Sequence, residues 1–300
     1  MGRGRSAATK ALLTEAIGIL ESIQPATVRG VAYRLFSAGL ISSMEKANTD
    51  KVSNVLARAR EDELLPWEWI VDDGRLPKRA NVWDAPRDFA AAAKESFRLN
   101  PWGQQDTRVE VWSEKGTVAG ILAPVLSDLA VDFRVNHGFT SATAINDMAT
   151  TSHEDPRPLT VLYVGDYDPS GLYMSEVDLP RRLAKYGARQ DMEVHRIALL
   201  EGDLKGLVSR SFAAKQKARD PRYDWYRKTT RQTRAWELDA MDPNVLRNRV
   251  RTEISTYIDD EAWERVMVSE RAQQQSLNAV LAGWAGLLRG KPRNRPGARP

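Results

Sequence analysis

Apolar residues recur at helical spacing early in the chain: Leu12, Leu13, Ala16, Ile17, Leu20 and Ile23 share one face, and Pro25 ends the helix they predict. Thr27 is placed to cap a second helix through Phe36, with Gly39 at its C-terminal stop. Asn48 or Thr49 can cap a third, whose inner face is Val52, Val55, Leu56 and Ala59, leaving Lys51, Asn54, Arg58 and Arg60 to point elsewhere. Trp67, Trp69 and Val71 then alternate with Glu68 and Ile70 up to Asp73-Gly74, which predicts a strand running into a turn. Pro86 suits the first position of a short helix that carries Phe89 to Phe97. From Arg108 the period changes. Short β-rich runs at 109–112, 132–135, 159–164 and 193–200 are separated by helical stretches at 117–129, 141–148 and 172–186.

Helix, helix, basic helix and ribbon is the order of a winged helix-turn-helix, which would place its third helix in a DNA major groove. Alternating strands and helices predict a doubly wound parallel α/β sheet. The expected organisation is therefore a winged helix over 1–75, a connector over 76–104, an α/β domain over 105–205, a helical C-terminal region over 206–288 and a basic, disordered tail over 289–300.

With 42% hydrophobic and 28% charged residues among 300, the composition excludes disordered and collagen-like classes for the whole chain. No cysteine is present, which rules out disulfides, thiol nucleophiles and zinc ribbons, and the three histidines (His137, His153, His195) are scattered. Any metal should then be a hard, oxygen-liganded one. No apolar run reaches membrane-span length and the first residues lead into an amphipathic helix, so no membrane partner and a cytoplasmic location are expected. The net charge of +4 is carried by the tail: its five basic residues leave 4 − 5 = −1 for residues 1–288. Local balance is more telling. Lys205 to Arg234 holds ten Lys and Arg against Asp220 and Asp224, interleaved with Phe212, Tyr223, Trp225 and Tyr226. Arg222, Arg227 and Lys228 are thus candidate nucleic-acid contacts beside Lys51, Asn54, Arg58 and Arg60, the alternative being a solvated face with its aromatics turned to a core.

In a parallel sheet, functional groups gather beyond the carboxyl ends of the strands. The first strand ends in Ser113-Glu114-Lys115-Gly116 and the third in Gly165-Asp166-Tyr167-Asp168-Pro169-Ser170-Gly171, each just before a helix. Paired carboxylates repel unless a proton or cation intervenes, and magnesium (Mg2+) is the natural cation for oxygen ligands and phosphate substrates. Helix capping by the same acids is the structural alternative. Glu237 and Asp239 form a second spaced pair that could complete a metal site or simply start a helix. Asn136 to Ser141 follows the second strand and could reach a phosphate or cap a helix. There is no phosphate-cradling loop of the ATPase type.

Strand-Glu-helix followed by strand-Asp-x-Asp-x-x-Gly-helix resembles the TOPRIM fold of topoisomerases, primases and overcoming-lysogenization-type nucleases. The longer GDYDPSG form, at Gly165 to Gly171, is similar to that of the topoisomerase VI A subunit and its meiotic double-strand-break relatives. That family sets a winged helix before its TOPRIM domain, with a catalytic tyrosine four residues after an arginine; Arg29 and Tyr33 stand in the matching places. Gly30, Ala32 and Ser113 depart from its usual acid, aromatic and valine. The resemblance covers about residues 8–200. It implies magnesium-dependent cleavage of double-stranded DNA by transesterification, with Tyr33 as nucleophile and Arg29 assisting. Glu114, Asp166 and Asp168 would hold the ion. It further implies a homodimer, each tyrosine working with the other protomer's metal site, and a separate ATPase subunit if strand passage occurs.

Physical chemistry agrees on Tyr33: a phenol with a pKa near 10 needs a cation or base nearby, and Arg29 lies one helical turn away. Two further readings remain open. A hydrolytic endonuclease would use the same acids to activate water, and a non-catalytic DNA-binding regulator would rely on the basic residues alone.

Overall fold

The computed structural model describes residues 6–71, 82–135, 142–214 and 220–289, without the side chains of 143–144 and 285–289. Contacts group the chain into two compact units, one of Met1–Gly74 with Asp106–Tyr257 and the other of Arg75–Gln105 with Ile258–Pro300.

The first unit opens with three helices, α1 (Ala7–Ile23), α2 (Val28–Ser37) and α3 (Lys46–Glu61). Leu12, Leu13, Ala16, Leu20 and Ile23 from α1 meet Val31 and Leu35 from α2 and Val52, Val55, Leu56 and Ala59 from α3 in one core. Thr27 caps α2 as expected, its Oγ1 accepting from Gly30 N at 2.8 Å, and Gly39 takes the left-handed φ of +74° that ends the helix. α3 starts earlier than its sequence suggests: Glu45 is the N-cap, and Asn48 and Thr49 lie inside the first turns. Arg60 is a second correction. It is buried, with its guanidinium 4.9 Å from the Trp67 ring centroid. The expected strand is corrected too, since Trp67–Trp69 forms a 3-10 turn after Pro66. Only β2 (Ile70–Val71) is extended, and it pairs in parallel with β1 (Ala26–Thr27). Asp73-Gly74 lies outside the described residues.

Four parallel strands follow: β3 (Arg108–Ser113), β4 (Asp132–Val135), β5 (Leu159–Val164) and β6 (Met192–Ala198), in the order β4-β3-β5-β6. The continuous apolar run of β5 is buried throughout, as a central parallel strand requires. On one face Trp112, Val161 and Tyr163 pack against Ile145 and Met148 of α6 (Ala142–Thr151) and Leu179 and Leu183 of α8 (Leu179–Lys185). α5 (Thr117–Asp128) packs with α10 (Pro243–Ser255), touching β4 and β6 respectively. α5 also comes so close to β2 that a Cβ on Gly120 would fall 2.4 Å from Val71 Cγ1. α7 (Pro169–Tyr173) runs through a π turn into α8.

After the sheet the chain is less uniformly helical than its sequence suggests. A 3-10 helix (Glu201–Arg210), β7 (Phe212–Ala213), α9 (Tyr223–Thr230) and β8 (Arg234–Ala235) come first, with β7 and β8 antiparallel. Trp236 then bridges Tyr167 through two backbone hydrogen bonds of 2.9 and 3.0 Å, fastening this segment to the loop beyond β5.

The second unit contains α4 (Pro86–Ser96) and α11 (Asp260–Arg289). Glu270, 3% exposed, accepts from Leu99 N at 2.8 Å, and Trp102 meets Trp263 edge to face. Among the described residues no helix is long and apolar enough to cross a membrane.

Candidate active site

Ser113 and Val164 are register partners at the ends of β3 and β5. One residue beyond the first comes Glu114 and two beyond the second comes Asp166, so strand pairing alone delivers both carboxylates to one sheet edge. Asp168 caps α7, its Oδ1 accepting from Gly171 N at 2.8 Å. Gly171 is required there, because a Cβ would lie 2.7 Å from the Asp166 carbonyl oxygen. Burial, then the neighbouring charges of Asp166 and Asp168, push the Glu114 carboxyl up to about 7. Burial also raises Asp166, against the pull of Lys115.

Lys115 is the counter-ion at this edge. Its Nζ lies 2.8 Å from Asp166 Oδ1 and 3.0 Å from Asp239 Oδ2. Burial disfavours its charge, but the two aspartates outweigh that and hold it protonated. Asp166 Oδ1 also accepts from Leu238 N at 2.7 Å. The carboxylates form an oxygen-only donor set that suits magnesium, which takes one or two carboxylates and keeps several waters. Among the described residues no group of three or more His, Asp or Glu side chains closes into a ready metal cage.

At the tyrosine end, Arg29 and Tyr33 share one face of α2, with the guanidinium carbon 5.8 Å from the ring centroid. Glu237 joins them. Its carboxylate is forked by Arg29, with Nε on Oε2 and Nη2 on Oε1 at 2.7 Å, and Oε2 accepts from the Tyr33 hydroxyl at 3.2 Å. Tyr33 is only 2% exposed. Burial, followed by the Glu237 carboxylate, raises the phenol, and the opposing pull of Arg29 is the weaker influence. Arg29 thus does pull the phenol down, but burial and the Glu237 carboxylate outweigh it. Arg29, Tyr33, Phe36, Met44, Arg210 and Glu237 line a cleft of about 470 Å³.

The two ends are joined through Glu237 and Asp239, which lie two residues apart on one segment. Glu237, the extended N-cap of a 3-10 turn at Leu238–Ala240, pairs with Arg29, while Asp239 inside the turn pairs with Lys115 and its Oδ1 accepts from Thr27 Oγ1, the cap of α2, at 2.6 Å. Both acids of this pair are thus engaged by protein cations. Sequence reading weighed Glu237 and Asp239 only as metal ligands or helix starters, and gave Lys115 no role. It missed Arg196 altogether. From β6 that side chain reaches the carbonyls of Gly165, Asp166, Gly171, Ala198 and Leu199 and donates to Ser175 Oγ, bracing the acidic loop from behind. Its only sequence signal was an arginine at an inner position of a strand.

The other expected contacts lie outside this network. Lys51, Asn54 and Arg58 are exposed on α3, whereas Arg60 is turned inward. Arg227 and Lys228 are exposed on α9, and Arg222 pairs with Asp220 at 3.0 Å. Of the interleaved aromatics, Tyr226 is buried and Trp225 packs on Tyr173 at 5.1 Å, so part of that segment serves the core. Asn136 to Ser141, including His137, lies outside the described residues. Compared with protein-family models, curated proteins and solved structures, the chain matches none.

Proposed function

We propose that this chain cleaves DNA by magnesium-dependent transesterification, in the manner of the topoisomerase VI A subunit it resembles, through a winged helix and a TOPRIM-type sheet. Tyr33 attacks the backbone phosphate and is left as a 5′-phosphotyrosine; Arg29 steadies the phosphate. Glu114, Asp166 and Asp168 hold the ion, which supplies charge neutralisation at the phosphate and leaving oxygen. Exposed Lys51, Asn54 and Arg58, with Arg227 and Lys228, bind the double-stranded DNA backbone. A homodimer would cut both strands, and strand passage would call for a separate ATPase subunit.

One observation supports this reading above the others: strand register brings Glu114 and Asp166 to one sheet edge beside Asp168, while Arg29 and Tyr33 line one cleft, so both halves of the chemistry are assembled and two protomers could pair them in trans. Labelled supercoiled DNA, incubated with protein and magnesium and run on a denaturing gel, tests it. Wild type should give a protein–DNA adduct that Tyr33→Phe and Asp166→Ala both abolish. An adduct that persists in Tyr33→Phe removes this tyrosine from the mechanism.

A hydrolytic endonuclease is the second reading, favoured by the burial of Tyr33 and by a Glu114 carboxyl that titrates near neutrality, where a general base for water is useful. It calls for nicked DNA with free ends, retained in Tyr33→Phe and lost in Asp166→Ala.

A further inference from the structure

Attack by a tyrosine requires that the phenolic proton go somewhere. Tyr33 is 2% exposed, so bulk water is poorly placed to take it. Glu237 Oε2 lies 3.2 Å from the Tyr33 hydroxyl, within the reach expected of a general base. The carboxylate is also held in place. Trp236 is bridged to Tyr167 and Leu238 N is bonded to Asp166, so both flanking residues are fastened to the acidic loop. Its side chain is 20% exposed and lines the cleft together with Tyr33 and Arg29, which gives an incoming phosphate a route to all three.

We propose that Glu237 is the general base that accepts the Tyr33 proton, an assignment that rests on the cleavage reading above. The bond from Tyr33 Oη to phosphorus forms as the bond from phosphorus to the 3′ oxygen breaks. The phenolic proton passes to Glu237 Oε2 and on to water, while the departing 3′ oxygen takes a proton from water, so no co-reactant is consumed. Arg29 exchanges the carboxylate for the phosphate, which frees Glu237 for the proton. The charged and titratable groups around Glu237 are Arg29 and Tyr33 from α2, Lys115 beyond β3, and Glu45 and Arg210 along the cleft.

Single-turnover adduct formation, followed from mildly acidic to alkaline pH, tests this with Glu237→Gln. At neutral pH the variant should be about 100-fold slower or worse, and the deficit should shrink about tenfold per pH unit as hydroxide replaces the base. A rate within about threefold of wild type, or a loss of the same factor at every pH, overturns the assignment. A DNA-free readout accompanies it: near-ultraviolet titration, with Tyr33→Phe identifying the signal, should show the Tyr33 midpoint lower in Glu237→Gln than in wild type, and no change overturns the contact itself. Should the Gln variant fail to fold, Glu237→Asp withdraws the carboxylate. It should cut the rate about tenfold with KM for DNA unchanged, and an unchanged rate overturns the base. Wild type that forms no adduct sinks the cleavage reading and the base with it; wild type that does, matched by Glu237→Gln, sinks the base alone.

Discussion

The two ends of the charge network solve the same problem differently. At the tyrosine end one guanidinium faces one carboxylate in a bidentate pair, and the neutral phenol adds no charge. At the sheet edge Glu114, Asp166 and Asp168 crowd together, and the nearest ammonium, on Lys115, is shared with Asp239. The first end is balanced as it stands. The second carries surplus negative charge, and burial, reinforced by that surplus, favours a proton on Glu114. Burial and surplus charge together mark the end at which a cation would act.

Removing Lys115 should expose that imbalance most sharply. Lys115→Met leaves Asp166 and Asp239 buried without their shared partner, and urea denaturation at neutral pH should show a loss of about 3–5 kcal/mol, the usual cost of breaking a buried pair. A loss under about 1 kcal/mol would mean the edge is far better solvated than its burial indicates.

Glu114 gives a smaller effect with a distinctive sign. Its carboxyl rises from 4.5 unfolded to about 7 folded, so between those values the native state holds a proton that the unfolded chain releases. Its contribution therefore falls as pH rises through that window. Glu114→Gln should match wild type near pH 4.5 and exceed it at pH 8 by on the order of 1–2 kcal/mol in thermal or urea melts. Magnesium should bring wild type back towards the variant, and parallel stability curves with pH would remove the surplus-charge account.

The balanced end should respond least. Arg29 is 42% exposed along its side chain, so Arg29→Ala should change stability by about 1 kcal/mol or less. A penalty equal to that of Lys115→Met would erase the contrast between the ends.

What the sequence made legible is local. Period and capping placed α1 and α2, the inner face of α3 and the four parallel strands, and turn chemistry placed Asp168 before α7. Strand adjacency was needed to bring Glu114 to Asp166, and alternation of strands and helices supplied it. The failures are of two kinds, local exceptions to the pattern and interactions across long separations. Arg60 looked outward by helical phase but is turned in by Trp67, and the apparent alternation through Trp67 and Trp69 gave way to a turn started by Pro66. Glu237 is 204 positions from Tyr33, and no local pattern announces that pairing. The grouping of Arg75–Gln105 with Ile258–Pro300 is equally silent, because only tertiary contacts create it.

Arg196 holds the acidic loop through main-chain carbonyls, a support that does not depend on which side chains the loop carries, whereas the Asp166 bond to Leu238 N, the Asp168 cap and the bare Cα of Gly171 do. Form and charge are therefore partly separable at this edge: an amide isostere could keep the acceptor that meets Leu238 N or Gly171 N, and the Arg196 brace would hold the main chain beneath it, while the charge facing Lys115 is lost.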